Sequence, residues 1–137
     1  MKQNETPGQI TSEDNQRDNM SQITTHILDT AQGKPASGVK VELYQGAASD
    51  QSENPWLLIG DGVTDADGRV SDLLARAAAL PAGDYQLRFH IGDYYRAANT
   101  PCFYPRVEIT FSIVGDGQHY HVPLLLNPFG YSTYRGS

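Results

Sequence analysis

Four histidines, one cysteine and a well-placed arginine bound the chemistry open to this 137-residue chain. His119 and His121 stand two residues apart in HYH, a spacing that puts both side chains on one face of a strand. Two strand histidines can chelate zinc, but the HExxH spacing of a helical site is missing, and Cys102 alone cannot build a cysteine-rich one. The sequence is therefore read as carrying no metal and no cofactor. His26 lies within ITTHILD, and a histidine, with an ordinary pKa near 6.5, is an abundant neutral base at cellular pH. Arg69 directly follows Asp67-Gly68, and its planar fork suits carbonyl and enolate-like oxygens. On residue type alone, a strand histidine and an arginine after a tight turn are ordinary solvated surface. His90 alternates to the polar face of its strand and is set aside. Cys102 reads as an inert thiol near a loop. No nucleophile-elbow pattern is present.

Strands must position these groups. ITTHILD alternates and is rich in β-branched residues, with Thr24, His26 and Leu28 on the face opposite Ile23, Thr25 and Ile27. VKVELYQ, GDYQLRFHIG and YPRVEITFSIV alternate in the same way, and WLLIGDGVT reads as a further strand. HYHVPLLLN is a strand whose Pro123 points to an edge position or a bulge. TDADGRV holds a tight turn. DLLARAAAL, residues 72–80, is the best local helix candidate, stopped by Pro81 and Gly83, and DYYRAAN is a short helix with Asp93 as N-cap. Some seven short strands with little helix point to an all-β sandwich, since two stacked sheets are the simplest way to bury every apolar face.

Composition excludes several classes. The net charge of −6 and pI of about 5.0 leave no basic stripe for nucleic acid. No run approaches the roughly 18 apolar residues of a membrane span. The N-terminus lacks the apolar core of a secretory signal, and one cysteine forbids an intrachain disulfide, so the cytoplasm is the default location. Residues 1–20 are polar apart from Met1, Ile10 and Met20 and read as a disordered tail, leaving 21–137 as the folded domain.

The two ends of that domain resemble one family. ITTHILDTAQGKPASGVKVELY is similar to the N-terminal signature of the transthyretin-like proteins, and HYHVPLLLNPFGYSTYRGS to their C-terminal signature. TDADGRV, GDYQLRF and YPRVEITF follow in the same order between them. The terminal Tyr134-Arg135-Gly136-Ser137 resembles the tetrapeptide that marks the 5-hydroxyisourate hydrolases and that the hormone-carrier transthyretins lack. The resemblance implies a transthyretin-like two-sheet β-sandwich that assembles as a homotetramer, with active sites at the dimer–dimer interface. It implies hydrolytic ring opening of 5-hydroxyisourate to 2-oxo-4-hydroxy-4-carboxy-5-ureidoimidazoline in urate degradation to allantoin.

Carried onto this chain, the resemblance gives His26 from T-H-I-L-D, Arg69 from D-G-R and His121 from Y-H-V-P as catalytic residues. His121 is the leading choice for the base that activates water, and His26 takes orienting or acid duty; the sequence leaves the exchange of those two roles open. Arg69 stabilises developing negative charge. The resemblance also puts His26, Arg69, Tyr134, Arg135 and the terminal carboxylate of Ser137 against the substrate. His119 lies outside the motif and reads as supporting or solvated. Two other readings are a ligand carrier of the transthyretin type and a non-catalytic sandwich module. A carrier channel should be lined mainly by apolar and small residues, which His26 and His121 contradict, and a module gives no reason for the YRGS terminus.

Overall fold

Alternation of apolar and polar side chains builds two sheets, each with one face turned inward. The computed structural model describes residues 21–47, 55–74 and 79–136. Among them are β1 (Ile23–Asp29), β2 (Lys34–Pro35), β3 (Lys40–Gly46), β4 (Trp56–Val63), β5 (Arg69–Val70) and β6 (Gly83–Phe89). The helix α1 (Ile91–Ala97), β7 (Val107–Ile113), β8 (Tyr120–Asn127) and β9 (Gly130–Thr133) follow. The expected tail at 1–20 and residues 75–78, the middle of the helix expected over 72–80, fall outside the described residues. Asp72, Leu73, Leu74, Ala79 and Leu80, which flank 75–78, have irregular backbone.

The first sheet runs β2-β1-β8-β9, with β5 also paired to β1, and the second runs β4-β3-β6-β7. Nearly all pairings are antiparallel, but β1 and β8 are parallel, with Thr24 opposite His121 and His26 opposite Pro123. Odd-numbered residues of β1 and even-numbered residues of β8 face the core. Ile27, Leu124 and Leu126 there meet Val41, Leu43, Leu87 and Phe89 of the second sheet, and all seven are fully buried. Full burial of such a side chain stabilises by about 1.5–3 kcal/mol, so this seam dominates the energetics. The opposite alternation set lies on the outer face of the first sheet, and it contains both motif histidines.

One buried carboxylate ties the sheet to the helix. Asp29, fully buried, accepts the N–H groups of Ala31 and Gln32 at 3.1 Å each, closing the turn after β1. It also accepts the Tyr94 hydroxyl at 2.8 Å. Burial, and then the Asp29 carboxylate, push the Tyr94 phenol up to about 12, so it stays a neutral donor.

Two local expectations are corrected. The short helix begins at Ile91, and Asp93 sits inside its first turn while His90 occupies the cap position without a side-chain bond to the helix N–H groups. Ile91 and Gly92 are buried, and the Gly92 N–H donates to Pro105 O at 2.8 Å, so tertiary docking sets the start of the helix. Pro123 lies in an interior strand, between β1 and β9. Gly136 N–H donates to His121 O, and the same register continues from Leu124 opposite Thr133. Pro123 therefore falls where β8 would donate an N–H toward Tyr134, and the ladder is interrupted there. Its carbonyl instead accepts the Thr133 hydroxyl at 2.7 Å.

Candidate active site

The turn before β5 aims Arg69. The Asp65 carboxylate accepts the N–H groups of Asp67 at 2.9 Å and Arg69 at 3.0 Å, and Asp65 N–H donates to Arg69 O at 3.0 Å. Gly68 has φ +76°, and a Cβ there would lie 2.5 Å from Ile27 O, so only glycine fits the turn against β1. Ile27 N–H donates to Gly68 O at 2.7 Å, which closes that contact. The result is a register in which Arg69 stands directly opposite His26. Side chains in such a pair have Cβ atoms about 4.5–5.5 Å apart.

His121 reaches the same face from β8. Thr24, opposite it on β1, places its hydroxyl 2.8 Å from His121 Nδ1 and 2.9 Å from His119 Nε2. The two rings are nearly parallel, with centroids 6.4 Å apart. His121 is half-buried, and its pKa is held below the usual histidine value. Burial is the largest cause, followed by the charges of Arg69, His119 and His26. His121 is thus kept neutral beside a fixed cation, the state a general base needs.

The C-terminal segment completes the edge. Gly136 bridges His121, and a Cβ on Gly136 would lie 2.6 Å from His121 Cδ2, so the imidazole rests on a residue without a side chain. Tyr134 continues the register opposite Pro123 and is exposed. Arg135 turns the other way: its guanidinium stacks 4.6 Å over the Tyr120 ring and donates to Gln118 Oε1 at 2.7 Å. The structure therefore brings His26, Arg69 and His121 together, leaves Tyr134 in register with Pro123 on the neighbouring segment and directs Arg135 away within one chain. Ser137 lies outside the described residues.

His90, set aside on sequence grounds, lies on the second sheet, bonded to Glu42 at 2.6 Å. Thr24 and Gly136 were not singled out on sequence. A threonine on a polar strand face is common, and a glycine declares nothing until its neighbour is known. No group of three or more metal-ligating side chains occurs among the described residues.

Two stacked sheets, a parallel pair inside one of them and a basic, histidine-bearing outer face define a β-sandwich of the transthyretin type. The family model described as HIUase/Transthyretin family matches residues 23–136. 5-Hydroxyisourate hydrolase 2 of Rhizobium meliloti is 46% identical over 119 residues, covering 84% of this chain and 95% of that protein. The solved 5-hydroxyisourate hydrolase of Klebsiella pneumoniae is 40% identical, with a TM-score of 0.68 and 84% and 98% of the two chains covered. Sea bream transthyretin, solved in complex with thyroxine, is 33% identical with a TM-score of 0.75, covering 83% and 93%. The chain belongs to the HIUase/Transthyretin family.

Proposed function

We propose that the protein is a hydrolase of 5-hydroxyisourate, opening its six-membered ring at an amide-like C–N bond in the breakdown of urate toward allantoin. The observation that carries the reading is a half-buried His121, its pKa held down by burial and by Arg69, sharing a sheet face with His26 and Arg69 in a chain 46% identical to a curated 5-hydroxyisourate hydrolase. Backbone likeness does not separate enzyme from carrier, because the TM-score is higher to the thyroxine-bound transthyretin than to the Klebsiella hydrolase. The side chains do: a row of histidines and an arginine suits hydrolysis of a polar ring better than retention of an apolar hormone.

His121 Nε2, the ring nitrogen turned away from Thr24, takes a proton from water as the oxygen attacks the carbonyl carbon. Arg69 faces the oxyanion that develops, and one such donor is worth about 3–4 kcal/mol in a preorganised site. His26, beside Arg69, orients the ring or supplies acid. Tyr134, Arg135 and Ser137 complete the contacts to substrate in this reading, with Arg135 anchoring the segment through Tyr120.

The working form is a homotetramer with sites at the dimer–dimer interface. In one chain Arg69 is exposed and the site face is open, and Leu28 and Leu125 lie half-buried on that face. Phe129 and Tyr131 also remain exposed at the β9 edge. No helix among the described residues is long and apolar enough to cross a membrane, and the reading places the enzyme in the cytoplasm. The test is the decay of ultraviolet absorbance of substrate freshly made from urate with urate oxidase. Acceleration over spontaneous decay, with the ring-opened product identified by mass, supports the reading. Decay at the spontaneous rate in the presence of folded protein refutes it.

A further inference from the structure

We propose that Thr24 and His119 form, with His121, a proton relay that carries charge away from the site during each turnover. The inference rests on the hydrolase reading and assigns roles to two side chains that reading does not use. The geometry is a single hydroxyl between two imidazole nitrogens, 2.8 Å from His121 Nδ1 and 2.9 Å from His119 Nε2.

A threonine hydroxyl has one proton. It can donate to only one of the two rings, and the other must donate to it, so the tautomers of His119 and His121 are locked together. In one arrangement His121 Nδ1–H donates to Thr24 Oγ1, whose proton points to His119 Nε2. His121 Nε2 then bears a lone pair facing the site. In the other arrangement both protons have shifted toward His119, which then carries the positive charge, and His121 holds at Nε2 a proton taken from water. The first is the base form and the second the acid form of the same residue.

Hydrolysis needs both in turn. As water attacks, its proton goes to His121 Nε2. The Nδ1 proton passes to Thr24 Oγ1, and the Thr24 proton passes to His119 Nε2. The hydroxide forms the new C–O bond at the carbonyl carbon. When the C–N bond breaks, His121 Nε2–H protonates the leaving nitrogen, the relay runs backward, and both rings return to their starting tautomers. One water is consumed, its hydrogen ends on nitrogen and its hydroxyl on carbon, and no other reactant enters.

The surroundings give this a purpose. A cation on His121 would sit in a half-buried position facing Arg69 and His26, whereas His119 is exposed. The relay lets the positive charge dwell at the solvated end while Arg69 stays free to face the oxyanion. Thr24 is 5% exposed, so its hydroxyl has little access to water that could substitute for the missing link. Thr24 is a positioning residue in this scheme, acting only through the two rings.

The experiment uses the full chain with Thr24→Val, which keeps shape and removes the hydroxyl, Thr24→Ser, which restores it, and His119→Gln. Expected are a fall in kcat of about a hundredfold for Thr24→Val with KM little changed, and recovery to within about threefold for Thr24→Ser. Thr24→Val with His119→Gln should be no worse than Thr24→Val alone, because both cut one path. A proton inventory in mixed light and heavy water should be curved for the native protein, where several protons move together, and linear for Thr24→Val. Nitrogen-15 spectra of the unliganded protein should show His121 protonated at Nδ1 and lose that fixed tautomer in Thr24→Val. Native-like kcat in Thr24→Val, or additive losses in the double variant, would overturn the relay. If no variant and not even the native protein turns over 5-hydroxyisourate, the hydrolase reading fails. The nitrogen spectra then decide the hydrogen-bond lock by themselves: a His121 tautomer unchanged by Thr24→Val refutes it.

Discussion

Placing a methyl group on Gly136 should cripple the site without unfolding the protein. The Cβ of Gly136→Ala would lie 2.6 Å from His121 Cδ2, 3.3 Å from His121 Cγ and 3.3 Å from Pro123 Cγ. Carbon atoms settle at about 3.5–4.0 Å, so the imidazole must withdraw by roughly 1 Å. Gly136 is not in the left-handed region, and alanine meets no backbone penalty there. The main effect therefore falls on the ring, with Pro123 Cγ the lesser contact. A misplacement of about 1 Å in a catalytic group can cost about a hundredfold, or about 2.7 kcal/mol in the barrier. Gly130→Ala is the control. Its Cβ would meet only Asn127 Nδ2 and Oδ1, at 3.7 and 3.8 Å, which is ordinary contact. Initial rates on fresh 5-hydroxyisourate should drop about a hundredfold for Gly136→Ala and less than twofold for Gly130→Ala, with both variants giving native circular dichroism. Equal rates for the two variants would refute the argument that Gly136 seats the His121 imidazole.

Other outcomes follow from the same geometry. His121 titrates below the ordinary histidine value, so it is still neutral as pH falls through 6.5, and the acid limb of kcat/KM should lie below that point. Arg69→Gln removes the second-largest cause of the shift, so in that variant the limb should move up toward 6.5 while kcat falls about 10²–10³-fold, as a full pH profile would show. His90→Asn should leave turnover within twofold, because that ring pairs with Glu42 on the other sheet. Thermal or urea melts should separate two adjacent tyrosines. Tyr95 OH is buried without a hydrogen-bond partner among the described residues, so Tyr95→Phe should be neutral or stabilise by about 1 kcal/mol. Tyr94→Phe strips a bond from the buried Asp29 carboxylate and should cost about 1.5–3 kcal/mol.

Strands with several apolar–polar alternations were readable in advance. Ile23–Asp29 has the bounds that its alternation implied, and β3, β6 and β7 were found by the same period of two. Lys34–Pro35 and Arg69–Val70 are too short to show any period, and they exist because β1 offers them an edge. The helix start moved because Ile91 and Gly92 dock on the core, a tertiary effect that no N-cap rule contains. Pro123 misled for a similar reason. A proline marks a missing donor, and an interrupted ladder inside a sheet supplies that as well as an edge does. The motif histidines and Arg69 were found through resemblance, yet their meeting depends on β5 folding across to β1, which spacing cannot show. Thr24 was invisible because its importance lies in two nitrogens that approach from another strand.

The central claim is that a neutral His121 activates water on 5-hydroxyisourate. Its most direct test compares the native protein with His121→Ala on freshly generated substrate, after subtraction of spontaneous decay. Fast decay is expected in the native protein, with a loss of at least about a hundredfold in a variant with an unchanged fold. Native-like decay in His121→Ala would contradict it and move the base elsewhere on the sheet.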